Sequence, residues 1–465
     1  MGSRKNKEWI VPEVELLLVH SPKKKEDVYQ LLASESSGGA LGRWMQRPAE
    51  ATCVLNGLAK LRCAELALQV LNVMQLASVE ANVFHYSTAA SACEKSGQWT
   101  RVLQLLAEMP SATIQPNVYT FGSAISCCEK ACRWQEAMAL LCAAAPEVNA
   151  FAFSGAISAC KKGSQWHRAL GLLEVMEALK VEADVICISG AISSCEKCAQ
   201  WQSALYLLQS MEEASMKPNL VAQNAALSAC EKAKRWQNAL ALLEQLPKKR
   251  LTADDVSYNA TISACANSSH WQLALGLLQE MEKRITPDAV SYSGVILACE
   301  RGSRWHLAFQ LCDRMALMRV PMDVISCSSL MSACEQGGEW RSTLALLRKM
   351  PSITLTPNHV TFSSAISACD TGRRWQTALG LFYMMPEKQP DQFCCNAAIL
   401  ASEKAGQWGE AMQIFHSMSS RIVEPDFISC AAAMLAADNG CKWADFAAYC
   451  NTESFLLVNF FRSGC

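Results

Sequence analysis

Apolar residues in this chain recur at helical spacing, in short paired stretches. Phe121, Ala124, Ile125 and Cys128 fall at i, i+3, i+4 and i+7, and Trp134, Ala137, Met138 and Leu141 repeat that spacing after a break. Each set therefore shares one face of a helix. Small and polar residues fill the break before tryptophan, as in Ser96-Gly97-Gln98 and Gly163-Ser164-Gln165. Proline marks the next break in "KPN" (217–219), "TPD" (286–288), "TPN" (356–358) and "EPD" (424–426). Both kinds of break predict turns, so the pattern predicts a helix–turn–helix unit.

The unit repeats. "SACEKSGQW" (91–99) returns as "SCCEKACRW" (126–134), "SACKKGSQW" (158–166), "SSCEKCAQW" (193–201) and "SACEKAKRW" (228–236). Trp99, Trp134, Trp166, Trp201, Trp236, Trp271, Trp305, Trp340, Trp375, Trp408 and Trp443 are 35, 32, 35, 35, 35, 34, 35, 35, 33 and 35 residues apart, leaving only Trp9 and Trp44 outside the series. "CAELALQVLNVM" (63–74) aligns with "QWTRVLQLLAEM" (98–109) and makes one earlier unit, with Ala64 in place of tryptophan. A period near 35 predicts an all-α, right-handed superhelical solenoid of about 11–12 helix–turn–helix repeats, each burying its apolar face against its neighbours. The expected organisation is an N-terminal extension over 1–47 (a poor or incomplete targeting segment), a degenerate first repeat over 48–82, an array of ten repeats over 83–426, and a partial repeat with a frayed tail over 427–465.

Composition adds exclusions. With 42 basic and 43 acidic residues the formal net charge is −1, so no bulk field forces binding to nucleic acid or to a membrane surface. No apolar run approaches the ~18–20 residues needed to span a bilayer, "ESFLLVNFF" (453–461) included. No secretory apolar segment follows Met1, so the 24 cysteines suit a reducing compartment. Glu8, Glu13 and Glu15 make the N-terminus a poor match to an organelle transit peptide.

The cysteine, acid and lysine of the recurring phrase look at first like an active site. Cys93, Cys128, Cys160, Cys195, Cys230, Cys265, Cys299, Cys334 and Cys369 each lie six residues before a tryptophan, on the apolar stripe of the first helix. A nucleophile is needed once, whereas a free cysteine packs as a small hydrophobe wherever the core asks for one. "CEKC" (195–198) is a lone pair within a helix, with no second ligand pair. No HExxH, GxxxxGK[ST] or GxSxG occurs. The reading is of a protein without an enzyme's site, without a metal and without a cofactor.

Two units, "VSYNATISACANSSHWQLALGLLQEM" (256–281) and "VTFSSAISACDTGRRWQTALGLFYMM" (360–385), carry an apolar start, a small-residue helix, an "AL.L" second helix and a Pro-Asp or Pro-Asn end. The chain resembles a pentatricopeptide repeat protein of the plain type over roughly 48–443, with tryptophan where the family more often has an aliphatic residue. The rival tetratricopeptide reading, a scaffold that binds proteins, lacks its W-x2-L-G-x2-Y opening. Neither the H-x-E and P-C-x-x-C of an appended deaminase nor the Leu-Asp-x-His-Gly type of signature of an appended nuclease-like domain is present.

The resemblance implies binding of single-stranded RNA, one base per repeat. The implied base-reading residues are Thr52, Ser87, Gly122, Ser154, Ser189, Asn224, Asn259, Ser293, Ser328, Ser363 and Asn396, twelve before each tryptophan position. Their partners end each unit: Asn82, Asn117, Asn149, Asp184, Asn219, Asp254, Asp288, Asp323, Asn358, Asp391 and Asp426. A plain turn role competes for these Asn and Asp residues. The implied base-sandwiching residues are Phe84, Tyr119, Phe151, Ile186, Val221, Val256, Val290, Ile325, Val360 and Phe393, for which a core role competes. The implied phosphate contacts are Lys95, Lys130, Lys162, Lys197, Lys232, Arg301 and Lys404, with Asn267, Gln336 and Thr371 breaking the series; a cation at a helix C-terminus is also favoured without any ligand. The family's pairing rule (Ser/Thr with Asn for A, Ser/Thr with Asp for G, Asn with Asp for U) gives 5′-AA?GAUUGAGU-3′, the Gly122/Asn149 repeat being open. The resemblance further implies an organellar setting, chloroplast ahead of mitochondrion, in RNA processing, stability or translation, with protein partners supplying any catalysis.

Overall fold

The computed structural model describes residues 12–439, apart from 21, 23–24, 34–38, 78, 113, 145–147, 354, 386–390, 421–422 and 424. Trp9, Trp443 and the apolar stretch 453–461 lie outside the described residues. Every described element is helical, and no described helix is long and apolar enough to cross a membrane.

The chain divides into two compact units, 1–233 and 234–465. In the first, helices pair as Pro48–Lys60 with Ala64–Leu76, Val83–Ser96 with Trp99–Ser111, Val118–Lys130 with Trp134–Ala144, Ala150–Lys162 with Trp166–Ala178, and Val185–Lys197 with Trp201–Glu213, followed by Leu220–Lys232. Each first helix packs on the next first helix, and each second helix lies against the first helices on either side of it. Part of the N-terminal extension is itself helical (Pro12–His20, Lys25–Ala33, Ala40–Gln46). Val14, Leu17, Val28, Leu32 and Trp44 join Leu55, Leu58, Val70 and Met74 of the first repeat in one core. A solenoid's end repeat has no neighbour to bury its face, and these helices cover it.

The second unit begins with Trp236–Gln245 and pairs Asp255–Asn267 with Trp271–Glu282, Ala289–Arg301 with Trp305–Leu317, Val324–Gln336 with Trp340–Lys349, His359–Thr371 with Trp375–Met384, and Gln392–Lys404 with Trp408–Ser420, before a final described helix, Phe427–Asn439. The same two-layer packing holds within it. All nine cysteines of the recurring phrase are 1% exposed or less, at the centre of this packing.

Turn geometry follows one rule throughout. The residue two before each tryptophan position takes a left-handed backbone: Arg62, Gly97, Cys132, Ser164, Ala199, Lys234, Ser269, Ser303, Gly338, Arg373 and Gly406. Glycine adopts this conformation freely, whereas other residues pay about 1–2 kcal/mol. Packing of the two helices therefore imposes the turn even where the local sequence resists it.

Tryptophan works between repeats. Where glycine ends a first helix, at Gly163, Gly302, Gly337 and Gly372, a Cβ would fall 2.2–2.5 Å from Cδ1 of Trp134, Trp271, Trp305 and Trp340 in the preceding repeat. The residue before the next tryptophan adds a cation over the ring, with Arg133 4.8 Å from Trp99, Arg304 5.3 Å from Trp271 and Arg374 5.1 Å from Trp340. The described tryptophans of the series are half-buried, and Trp99, Trp134, Trp271, Trp305 and Trp340 are seam residues that join their own second helix to the turn that follows one repeat later.

Candidate nucleic-acid interface

The unit-ending Asn and Asp residues all do the same structural job. Oδ1 of Asn82, Asn117, Asn149, Asp184, Asn219, Asp254, Asp288, Asp323, Asn358, Asp391 and Asp426 accepts the backbone N–H three residues on, at 2.7–3.2 Å. Each is the N-cap of the next first helix, a bond worth about 1 kcal/mol. The turn role is real. It occupies one oxygen and leaves the other Oδ, or the amide nitrogen, for a second partner.

The apolar series resolves the other way. Phe84, Tyr119, Phe151, Ile186, Val221, Val256, Val290, Ile325, Val360 and Phe393 are all exposed, from 41% at Val360 to 76% at Tyr119. A core role is excluded for them. Ile428, fifteen before Trp443, was not in the predicted series but keeps its spacing, extends the row and is 50% exposed. The apolar stripe of each first helix begins one residue later or more, as with buried Tyr86, Phe153, Tyr258 and Tyr292.

The third series lies between these two. Oγ of Ser87, Ser154, Ser293, Ser328 and Ser363 donates to the carbonyl three residues back, that of the exposed apolar residue, and Ser189 donates to Val185. The hydroxyl oxygens keep their lone pairs as acceptors. Predicted couples also meet directly: Ser189 Oγ lies 3.4 Å from Asn219 Oδ1, Asn259 Nδ2 donates to Asp288 Oδ1 at 3.3 Å, and Asn396 Nδ2 donates to both carboxylate oxygens of Asp426 at 3.1 Å. Asp288 is partly buried, which raises its pKa, but bonds from Ser291 and Asn259 bring the net value below the usual carboxylate range. Asp426 behaves alike through Ser429 and Asn396. Thr52 and Asn224 are half-buried in equivalent places. Gly122 is buried under the next repeat, where a Cβ would sit 3.3 Å from the Phe151 ring. No side chain is available there to read a base.

The cation series is not simply a free positive stripe. Lys130 Nζ binds Glu94 at 2.9 Å, Lys162 binds Glu129 at 3.2 Å, Lys232 binds Glu196 at 3.0 Å, and Lys404 binds Asp370 at 2.5 Å. In each case the acid follows the core cysteine of one repeat and the lysine follows the same position of the next repeat by two. Ser126 and Ser158 add hydroxyl bonds to Glu94 and Glu129 at 2.9 and 2.8 Å. Arg301 donates to Asn267 Oδ1 at 3.0 Å and to the Ala266 carbonyl. Lys95 and Lys197 make no ion pair among the described residues. Where the lysine is replaced by Gln336 or Thr371, burial pushes the pKa of Glu300 and Glu335 upward while serines of the next repeat hold their carboxylates. The Ser-x-Cys-Glu-Lys phrase is an inter-repeat ladder, and its acid is the lysine's partner, a pairing invisible within any one repeat.

The cysteines show no sign of activation. Burial raises the thiol pKa of Cys93, Cys160, Cys230, Cys265 and Cys299 to about 11, and of Cys128 and Cys334 to about 12. Of the lone pair, Cys195 is in the core but Cys198 is at the C-cap of its helix, a correction to the expectation of a mid-helix site. Its Sγ reaches the Ser164 carbonyl at 3.3 Å. No group of three or more metal-ligating side chains occurs among the described residues.

Stacked helical hairpins with a row of exposed apolar residues and capped polar couples define a helical-repeat protein with an exposed apolar and polar edge along its first helices. Family models agree on which kind. "Pentatricopeptide repeat-containing protein" matches residues 51–176, "PPR repeat" matches 256–284 and 393–422, and "Pentatricopeptide repeat domain" matches 310–371. Together they cover more than half of the chain, which belongs to the pentatricopeptide repeat family. No curated protein matches it by sequence. Among solved structures, maize pentatricopeptide repeat protein PPR10 is similar with a TM-score of 0.52 and 17% identity, over 91% of this chain and 74% of that one. PPR10 in complex with an 18-nt psaJ RNA element gives 0.41 and 18%, over 92% and 73%. The PPR domain of Arabidopsis thaliana protein-only RNase P 1, in complex with tRNA, gives 0.36 and 10%, over 40% and 98%. At these identities the likeness to PPR10 is one of fold.

Proposed function

We propose that this protein binds single-stranded RNA along its first helices, one base per repeat, and does no chemistry of its own. The observation that carries this reading is the exposed apolar row from Phe84 to Ile428, which a soluble repeat would otherwise bury or replace with polar residues. A base has an apolar face and a polar edge. Successive members of the row suit the face, and the serine or asparagine with its capping Asn or Asp suits the edge. Membership of the family supports the same reading.

The target proposed is 5′-AA?GAUUGAGU-3′, on an organellar transcript whose processing, stability or translation it would affect by masking or recruitment; chloroplast is preferred to mitochondrion. Selection from a random RNA pool, at stated salt, should enrich a U-U core opposite Asn224/Asp254 and Asn259/Asp288. A pool enriched without that core would refute the register. Asn259→Ser should shift that one base from U toward G and leave the rest unchanged, and equal loss on every RNA would rule out a modular code.

A protein-binding scaffold is the second reading, favoured by one observation: four of the seven cations assigned to phosphate are engaged by carboxylates of the neighbouring repeat. A scaffold would show no measurable affinity for the selected RNA at any salt.

A further inference from the structure

We infer that Lys161 and Lys197 together form an anion site for one phosphodiester group of bound RNA, at the junction between the repeats 150–178 and 185–213. The inference rests on the RNA reading and assigns a residue, Lys161, that the cation series does not contain.

The argument starts from the ladder. At the junctions on either side, the residue after the core cysteine is an acid that holds the next repeat's lysine: Glu129 with Lys162 at 3.2 Å before it, and Glu196 with Lys232 at 3.0 Å after it. The same register at the intervening junction puts Lys161 in the acid's place, opposite Lys197. Two ammonium groups there repel each other, and neither makes an ion pair among the described residues. A phosphate oxyanion between them replaces that repulsion with two charge-assisted hydrogen bonds. Lys162, next in sequence, is held by Glu129 and does not compete for it. Lys161 also lies seven residues after Ser154 on one helix, which is the same face two turns along, about 10 Å. That is of the order of the span of one nucleotide from base edge to phosphate.

Acids neutralise Lys130, Lys162, Lys232 and Lys404 in the same way, so the backbone grip falls on this junction together with Lys95 and Arg301 rather than evenly along the array. RNA binding by the full-length protein, measured as affinity against salt, tests this. Lys161→Glu should pair with Lys197 and lower the slope by about 1.4, two contacts at ~0.7 each. Glu94→Lys should release Lys130 and raise the slope by a similar amount. A single methylphosphonate moved along the RNA should find one linkage whose neutralisation weakens wild type and has no further effect on Lys161→Glu. Circular dichroism melting checks that both variants fold, and Lys197→Gln replaces Lys161→Glu if it does not. Unchanged slopes in both variants, or no such linkage, would overturn the site while leaving RNA binding in place. Absence of RNA binding by wild type would overturn both.

Discussion

Asp184 has one role in the fold and a second in the proposed code. Its Oδ1 caps the helix that starts at Val185 by accepting the Cys187 N–H at 2.7 Å, and the proposed code couples it to Ser154. Asp184→Asn preserves the cap and should switch the preferred base in that repeat from G to A, with stability within about 0.5 kcal/mol of wild type. Asp184→Ala should lose base preference and about 1 kcal/mol together. Selection and urea unfolding on both variants separate the two roles. His85 takes the corresponding place three residues after Asn82, and its ring is fully buried. Nδ1 accepts the Asn82 N–H at 3.0 Å, so Nε2 is the protonated nitrogen facing the Pro48 carbonyl at 2.9 Å. Burial holds its pKa below the ordinary 6.5, with the Pro48 carbonyl opposing. The neutral ring is what the fold favours, so its contribution is complete above pH 6.5 and declines as pH falls below that value, where the unfolded chain binds the proton first. The melting temperature should therefore drop between pH 7 and pH 5, and drop less in His85→Phe.

At the scale of the element, the intrarepeat turn and the tryptophan seam make different demands on glycine. Gly338 has φ +72° and nothing within 4 Å of a Cβ, so Gly338→Ala should cost about 1 kcal/mol through the backbone alone. Gly372 has ordinary backbone, but a Cβ there would lie 2.4 Å from Trp340 Cδ1. Gly372→Ala should displace the indole, which tryptophan fluorescence would report and which Gly338→Ala should leave unchanged. The core thiols give a further check on the first helices. Cys160, Cys230 and Cys265 are buried with pKa values near 11, whereas Cys53, Cys132 and Cys142 are exposed. Under native conditions iodoacetamide should modify the exposed set first, as read by mass spectrometry, and labelling of the core set should require unfolding.

Across the whole molecule, charge decides how RNA binding should respond to salt. Seven phosphate contacts at ~0.7 each would give a slope near 5 for a single strand. Four of those cations already hold carboxylates, and Lys161 joins the three that remain, so a slope of about 3 is expected at neutral pH. The near-zero net charge agrees with a protein that grips its ligand through stacking and edges more than through a positive field.

Much of this was legible in the chain. Helix spacing, the period near 35, the core position of the cysteines and the family follow from interactions within one helix or from repetition of one unit, and a periodic sequence displays both directly. The exposed row was only half legible, because Phe84 or Val256 is apolar whether it faces a neighbour or solvent, and the position of the adjacent first helix settles which. The ladder was hidden for a related reason. Glu94 and Lys95 are adjacent in sequence, yet Glu94 pairs with Lys130, thirty-six residues away. What the sequence by itself determined is the repeating unit and its register. Which side chains of one repeat meet those of the next is set by the stacking of first helix on first helix, and only the tertiary structure decided which lysines are neutralised by a neighbouring carboxylate and which are not.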